Sequence, residues 1–553
     1  MSAAPAHLRF AIGLFLLPAA AVLAQTPPSP GAVQQQQRET QETLDLQKRL
    51  REQAPQAPEV IDRSQRPKPG APGSDVRIQV KTVAVGASEV LSGDEIRAVT
   101  RRYEGREATI ADLFTMVDEI NALYKDKGCL TCRAFLPAQT VEEGRVEVRL
   151  VEARSGELEI DGLESTRESF LRGRISTRKG ALFDVNGLER DLARINATTD
   201  LQTAAELKAG AEPGTVAPVV HVVEPPRHSL TLFTDNAGAE TVGEYRAGLT
   251  FADASVFGWR DAFLLNAYGA EGTSAVSTSY VLPVHSSGTK VGLGYDYSDI
   301  KVVSGPFEAL DIGGYASRVG LDLIQPIVAD TRVRLNALAN ATSRNSVTTF
   351  GGFKISEVDV RSAGLGFDLQ AYDDGGVWFT RNMLTQGFHD FGGDREFLRF
   401  NTDVYRVQAL TPALTGQLRF SAQWADSHPL PSTEQFQVGG VATVRGYKEG
   451  LLAGDEGAIL SAELQFPVPE TYLPAGMHWR GFTYVDSGMI VQQRDGHRSV
   501  NHDDFLYSVG GGLSFTLGAR VSGKLALGIP LNAPPGYEDG DYRIEFSVQA
   551  LLF

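Results

Sequence analysis

The sequence predicts a mainly β protein: a C-terminal transmembrane β-barrel of about 16 antiparallel strands, preceded by two small α+β modules and a polar N-terminal helix. Three observations carry that expectation. From Ser229 onward, apolar and polar residues alternate with period two. Tyr245, Ala247, Leu249 and Phe251 alternate with Glu244, Arg246, Gly248 and Thr250, and Leu418, Phe420, Ala422 and Trp424 with Gln417, Arg419, Ser421 and Gln423. Leu460, Ala462, Leu464 and Phe466 do the same against Ser461, Glu463 and Gln465. Next, 57 glycines and a hydrophobic fraction of 42% come without any apolar run after Ala24 that nears the roughly 20 residues of a spanning helix. Finally, the chain opens on a secretory signal. A soluble sandwich alternates in the same way; the signal, the sustained strands and the aromatic-rich strand ends favour lipid outside and water inside. At about 20 residues per strand and connection, residues 227–553 suit roughly 16 strands of ~9–11 residues.

The elements follow in order. In residues 1–24, Arg9 precedes the apolar stretch Phe10 to Leu23, and Val22-Leu23-Ala24 supplies small residues for cleavage before Gln25. A membrane anchor is the other reading, but the stretch is short and Pro18 interrupts it. Residues 25–54 form a polar helix from Gln34-Gln35-Gln36-Gln37 through Arg51, with Arg38/Glu42 and Asp45/Arg49 at i,i+4 spacing. Having few apolar residues to bury, it needs water around it or a polar cavity to occupy; a frayed tail fits the composition equally. Residues 55–75, with prolines at 55, 58, 67, 69 and 72, read as an extended linker and not a core element.

Residues 76–153 give a β-α-α-β-β unit. A strand at Val76 to Val85 leads to a helix capped by Ser92 and Glu95, then to one opening at Thr109 with Asp112 and ending at Lys127-Gly128. Strands at Arg133 to Pro137 and Arg145 to Glu152 complete it. Residues 154–226 repeat the order, with a strand at Glu157 to Ile160 and helices around Glu164 to Ile175 and Asn186 to Asn196. Strands around Ala204 to Ala209 and Val219 to Val223 follow. Cys129 and Cys132 are the only cysteines. Their C-x-x-C spacing follows a helix end, where no helix dipole activates a thiolate, so a local disulfide or two unpaired thiols outweighs redox catalysis. A single such pair also falls short of a four-ligand zinc site. In the last strand Ile544, Phe546, Val548, Ala550 and Leu552 share a face, but alternation slips at Leu551-Leu552-Phe553 and leaves the orientation of Phe553 open.

Charge narrows the function classes. With 68 acidic against 52 basic residues the chain carries a formal charge of -16, which disfavours nucleic acid as a partner. No phosphate-binding loop is present, and Gly510-Gly511-Gly512 lies between strand-like segments, where it reads as a strand kink. No cofactor is expected. The best support for an outer-membrane enzyme is His389-Asp390, a neighbour pair that without further groups is ordinary solvated surface.

The most informative residues lie in two short runs. Gly439-Gly440 precedes Val444-Arg445-Gly446-Tyr447, and Phe482-Thr483-Tyr484-Val485-Asp486-Ser487-Gly488 follows some way on. With these motifs, Lys127-Gly128 leading to Leu136-Pro137-Ala138-Gln139, Ala209-Gly210-Ala211-Glu212-Pro213-Gly214-Thr215 and Gly243-Glu244-Tyr245-Arg246, the chain resembles the outer-membrane transporters of two-partner secretion, the haemolysin secretion/activation family. The resemblance covers essentially the whole mature chain: plug-like helix, proline-rich linker, two POTRA-type modules and barrel. It implies that Arg445 tips an extracellular loop folded back into the lumen and that Asp486 faces it from the barrel wall, a loop-to-barrel lock supported by Gly439, Gly440, Val444, Gly446, Tyr447, Phe482, Tyr484 and Gly488. An arginine fork on a carboxylate fits that role physically. The resemblance further implies a Gram-negative outer-membrane location with the modules in the periplasm. Its implied partners are a large secreted exoprotein bearing an N-terminal secretion domain, membrane lipid, and the barrel assembly machinery for insertion. ATP-free export of an unfolded exoprotein is the expected function, with a barrel-assembly insertase as the alternative and a plain porin or an enzyme behind it. The two cysteines are not part of the family pattern.

Overall fold

The computed structural model describes residues 29–51, 60–62, 77–129, 131–389, 392–426, 429–469, 476–494, 497–538 and 540–553. The expected signal, residues 1–24, lies outside them, as does most of the expected linker.

Sixteen antiparallel strands close the barrel, each paired with its neighbours along the chain. The first, His228–Asp235, meets the last, Arg543–Leu551, through the register Thr231↔Leu551 to Asp235↔Ser547. Closure removes the free edges that an open sheet leaves exposed. A short strand, His497–Ser499, only extends the hairpin beyond Met477–Arg494. The alternation sorts the faces: on Phe353–Asp373, Leu365 and Phe367 are exposed on the outer row. On Met477–Arg494, Val485 points out, while Phe482, Tyr484 and Asp486 are buried inside.

Two elements fill the lumen. The helix Pro30–Arg51 runs along the strands Lys290–Lys301, Ile312–Ala329 and Val333–Phe350. Its first turns place Val33 against Val242, Ile300 and Ile312, at the end of the barrel away from the modules. Its last turn places Leu50 against Val377, Phe379 and Tyr405, at the module end. Gln35, Gln36, Gln37 and Thr40 are buried between these ends. Its buried amides find partners on a polar barrel wall, where an apolar helix would leave that wall unsatisfied. The second element is the long loop 426–455, whose residues 429–455 fold back inside.

The first module packs the helices Gly93–Thr100 and Ile110–Asp126 on a sheet of Thr82–Val85, Arg145–Val151 and Arg133–Phe135. Both expected capping boxes form, Ser92 with Glu95 and Thr109 with Asp112. The single strand expected over Val76 to Val85 is broken at Lys81, whose amide turns to Gly144 O at 2.8 Å. The piece Arg77–Val80 instead pairs with Arg106–Thr109, a strand whose charged start hides it from the pattern. Cys129 and Cys132 are joined as a disulfide.

The second module is built on the hairpin Gln202–Ala209 and Thr215–Val223, with Glu159–Asp161 and Arg154–Ser155 parallel on one side. Val60–Asp62 adds a parallel strand on the other side, Val60 opposite Ala205. That stretch therefore departs from the reading of 55–75 as linker alone. The helix expected over Glu164 to Ile175 shrinks to Glu168–Arg172. The cause is a carboxylate distant in the chain: the amides of Glu164, Ser165 and Thr166 donate to Glu224 at 3.2, 2.9 and 3.1 Å and are lost to a helical turn.

Candidate functional site

Loop 426–455 enters the lumen as a hairpin, Phe436–Val438 pairing with Leu452–Gly454. Its tip is Val444 to Tyr447. Gly446 has φ +92°, a region that favours glycine, and a Cβ there would lie 2.9 Å from the carbonyl carbon of Gly528 on the wall. Gly528 is constrained in return, since its own Cβ would meet Gly446 Cα at 2.5 Å. The two glycines let backbone touch backbone where tip meets barrel.

That approach seats Arg445. Its Nε donates to Asp486 Oδ2 at 2.8 Å and its Nη2 to Asp486 Oδ1 at 3.0 Å, while its backbone N–H reaches Oδ2 at 3.1 Å. Nη1 donates to Glu463, and Nη2 also reaches Ser461 Oγ at 3.3 Å. Ser461 in turn donates to Asp486 Oδ1 at 2.6 Å. The guanidinium lies 3.5 Å from the centre of the Tyr484 ring. Arg445 is 6% exposed and Asp486 1%, so a forked, charge-assisted pair is held away from bulk water. Such a pair is costly to break from one side only, because the remaining charge stays buried and unpaired.

The flanking residues have identifiable work. A Cβ on Gly488 would meet Val438 and Val444 side-chain carbons at 2.4 and 2.8 Å, so its absence admits the apolar base of the tip. Tyr447 is fully buried, its hydroxyl 2.9 Å from the carbonyl oxygens of Tyr507 and Asn532, its ring against Tyr537. Phe482 stacks on Tyr484. Gly439 donates to Thr443 Oγ1 at 2.8 Å, and Gly440 makes room for the Glu449 carboxylate, which a Cβ would meet at 2.1 Å. The structure thus brings Arg445, Asp486 and the eight supporting residues to one place, while Val485 of the same run faces outward.

Other members of the network escape motif reading. Glu463 and Ser461 show in the sequence only as the polar row of an alternating strand. Glu545 accepts from Gly446 N at 2.9 Å. Glu434, in the loop, pairs with Arg344 and Arg399 of the wall, each at 2.8 Å. Glu449 joins loop and helix: it accepts from Val441 N at 2.7 Å and from Gln36 Nε2 at 2.9 Å. Gln437 Nε2 donates to Ala32 O at 3.1 Å, and Ser29 and Ser432 hydroxyls are 3.0 Å apart. No sequence spacing announces these contacts, which bridge 403 residues in the case of Ser29 and Ser432 and 413 in that of Gln36 and Glu449.

The arrangement fastens one element, the loop tip, to another, the barrel wall. Elsewhere, His389 is exposed and Asp390 lies outside the described residues.

Comparison with known proteins gives a consistent picture. The family model described as haemolysin secretion/activation protein ShlB/FhaC/HecB matches residues 219–515, and that of the ShlB-type POTRA domain matches residues 78–153. The heme/hemopexin transporter protein HuxB of Haemophilus influenzae (strain 86-028NP) is 24% identical over 484 residues, 82% of this chain and 83% of that protein. The outer membrane transporter CdiB of Escherichia coli O6:K15:H31 is 24% identical over 555 residues, 94% of this chain and 90% of its own. The solved structure of CdiB from Escherichia coli superimposes with a TM-score of 0.70 at 19% identity, covering 96% of this chain and all of that one.

Proposed function

The chain belongs to the haemolysin secretion/activation protein family, and from that premise we propose how its parts work. It is an outer-membrane transporter of two-partner secretion, a barrel with periplasmic POTRA modules that carries a large exoprotein to the cell surface. The observation that carries the mechanism is that helix Pro30–Arg51 and loop 426–455 occupy the lumen together and are fastened by polar bonds to the wall and to each other. Such a pore is shut at rest, and it opens by exchanging hydrogen bonds of about 0.5–1.5 kcal/mol each, without a nucleotide.

In this reading the exoprotein arrives unfolded, bearing an N-terminal secretion domain, and pairs an extended segment with a module sheet. The helix then leaves the lumen and the client threads through. Folding outside biases transit outward. The Arg445–Asp486 pair is the lock that keeps the loop tip seated on the wall. Insertion of the barrel itself falls to the barrel assembly machinery, and lipid covers the exposed apolar belt. HuxB is named as a heme/hemopexin transporter protein and CdiB as an outer membrane transporter, so the partner here is defined by its size and unfolded state.

The test is deletion of the gene, with the surface and medium surveyed by mass spectrometry. Loss of one large secreted protein with normal levels of other outer-membrane barrels supports export. Broad depletion of those barrels would favour the insertase alternative. Solubilised protein that hydrolyses an ester or peptide substrate would revive the enzymatic reading.

A further inference from the structure

A second buried ionic cluster lies outside the lumen, where the second module meets the barrel. The turn 254–261, between strands Arg246–Asp253 and Ala262–Ala270, is held rigid by Asp261. That fully buried carboxylate accepts from Phe257 N at 2.9 Å, Trp259 N at 3.0 Å and Tyr280 Oη at 2.8 Å. The turn pushes Arg260 into the module with φ +54°, a conformation that side chains other than glycine seldom adopt and that persists only where the surroundings over-determine it.

The Arg260 side chain is 1% exposed. Its Nε donates to Asp200 Oδ1 at 2.8 Å and its Nη2 to the other oxygen of the same carboxylate. Nη1 donates to Ser165 Oγ at 3.2 Å and lies 3.5 Å from Glu224. Around this fork the backbones interlock: Arg167 N donates to Gly258 O at 2.9 Å and Ser255 Oγ to Ser165 O at 3.2 Å. A Cβ on Gly258 would meet Arg167 Cγ at 2.8 Å. Trp259 stands edge-on to Phe170, with the Arg167 guanidinium over its indole. A second periplasmic turn adds His285 O, which accepts from Arg174 at 3.2 Å, and Gly288, packed on Thr198.

We propose that Arg260 is the positioning residue that clamps the second module to the barrel as one rigid body, holding that module's sheet at the pore entrance while the first module alone is free to swing. Three stretches of the module, at 165–167, Asp200 and Glu224, converge on one barrel turn. A hinge between module and barrel would have to break the fork, the backbone bonds and the aromatic contact together. Contacts between the modules are sparser: Asn186 Nδ2 donates to Gly128 O at 3.2 Å, Thr131 Oγ1 to Phe183 O at 3.4 Å, and Arg154 pairs with Glu89. The clamp is a property of the purified protein and does not depend on what is exported.

The experiment places one nitroxide label on the second module at Lys179→Cys and another on the periplasmic turn at Ala413→Cys, with the native disulfide left oxidised, and measures the distance distribution by pulsed electron resonance. A narrow distribution in the parent and a broadened one in both Arg260→Gln and Asp200→Asn are expected. A second label pair, spanning the two modules, should be broad in all of them. Heat-dependent electrophoretic mobility verifies a folded barrel. If Arg260→Gln fails to fold, Asp200→Asn decides alone, since it alters the module and not the barrel. A broad parent distribution, or variants with folded barrels as narrow as the parent, overturns the clamp.

Discussion

At the scale of single residues, the lock converts sequence motifs into geometry. Arg445 and Asp486 are legible because each sits in a run of rare local character. Their supports are not, because Glu463, Glu545 and Glu434 are ordinary acids until a fold places them. The geometry separates substitutions that look alike. Arg445→Lys keeps the charge but gives up the fork on Asp486 and the flat contact with Tyr484, so it should release the loop nearly as fully as Arg445→Ala. Asp486→Ala leaves the guanidinium with Glu463, so its cost should fall below the ~3–5 kcal/mol of a fully orphaned buried charge. Cleavage of loop 426–455 by added protease on intact cells reads the release, and a lysine variant as protected as the parent would contradict this account. Gly528 supplies a sharper test because it lies in neither motif. Gly528→Ala drives a methyl into the Gly446 backbone and should expose the loop as Gly446→Ala does. A protected Gly528→Ala loop would mean that the close approach is not needed.

At the scale of elements, the N-terminal helix shows where pattern reading stops. Its composition allows a solvated tail or a filled polar cavity, and only the barrel wall decides, by presenting partners such as Ala316 O to Gln34 and Ser346 Oγ to Gly31. The helix is gripped at Gly31, where a Cβ would come within 2.3 Å of Thr433 in the loop and 2.9 Å of Ser346 in the wall. Gly31→Val should therefore dislodge the helix. In planar bilayers it should raise conductance towards that of a variant lacking residues 29–51, while loop protection changes little. Glu449→Ala should do both, because Glu449 is bonded to helix and loop alike through its two oxygens, whereas Glu449→Gln keeps one acceptor oxygen and should loosen only one of the two bonds. Unchanged conductance in Gly31→Val would show that the helix does not depend on this grip. The modules teach a complementary lesson. Their capping boxes are local and legible, but the helix expected after Glu164 is shortened by a carboxylate sixty residues away in the chain.

At the scale of the molecule, period-two alternation makes the barrel legible because closure demands it of every strand. The seating of the second module on the barrel is not legible, since it rests on Arg260 meeting Asp200 and Glu224 across the fold. That seating carries its own pH dependence. Burial raises the pKa of Glu224, but the Ser165 and Thr166 side chains and the amides of Ser165 and Glu164 outweigh it and hold the carboxyl down at about 2. A depressed carboxyl contributes its stability fully above its ordinary value of 4.5 and loses it as pH falls towards about 2. Arg260 and Asp200 face it across the joint, Arg260 lying 3.5 Å from the Glu224 carboxylate and forking on Asp200. The label pair between module and barrel should accordingly stay narrow at neutral pH and broaden as the solution is taken from pH 4.5 towards 2, with the barrel still folded. Glu224→Gln should weaken the joint at neutral pH and flatten that response, since an amide offers the turn at 164–166 one acceptor where the carboxylate offers two. A broadening that persists unchanged in Glu224→Gln would mean that Glu224 is not the source of the acid sensitivity. The label pair reads the joint and not the lock in the lumen, which binds different carboxylates, Asp486 and Glu463, on different strands.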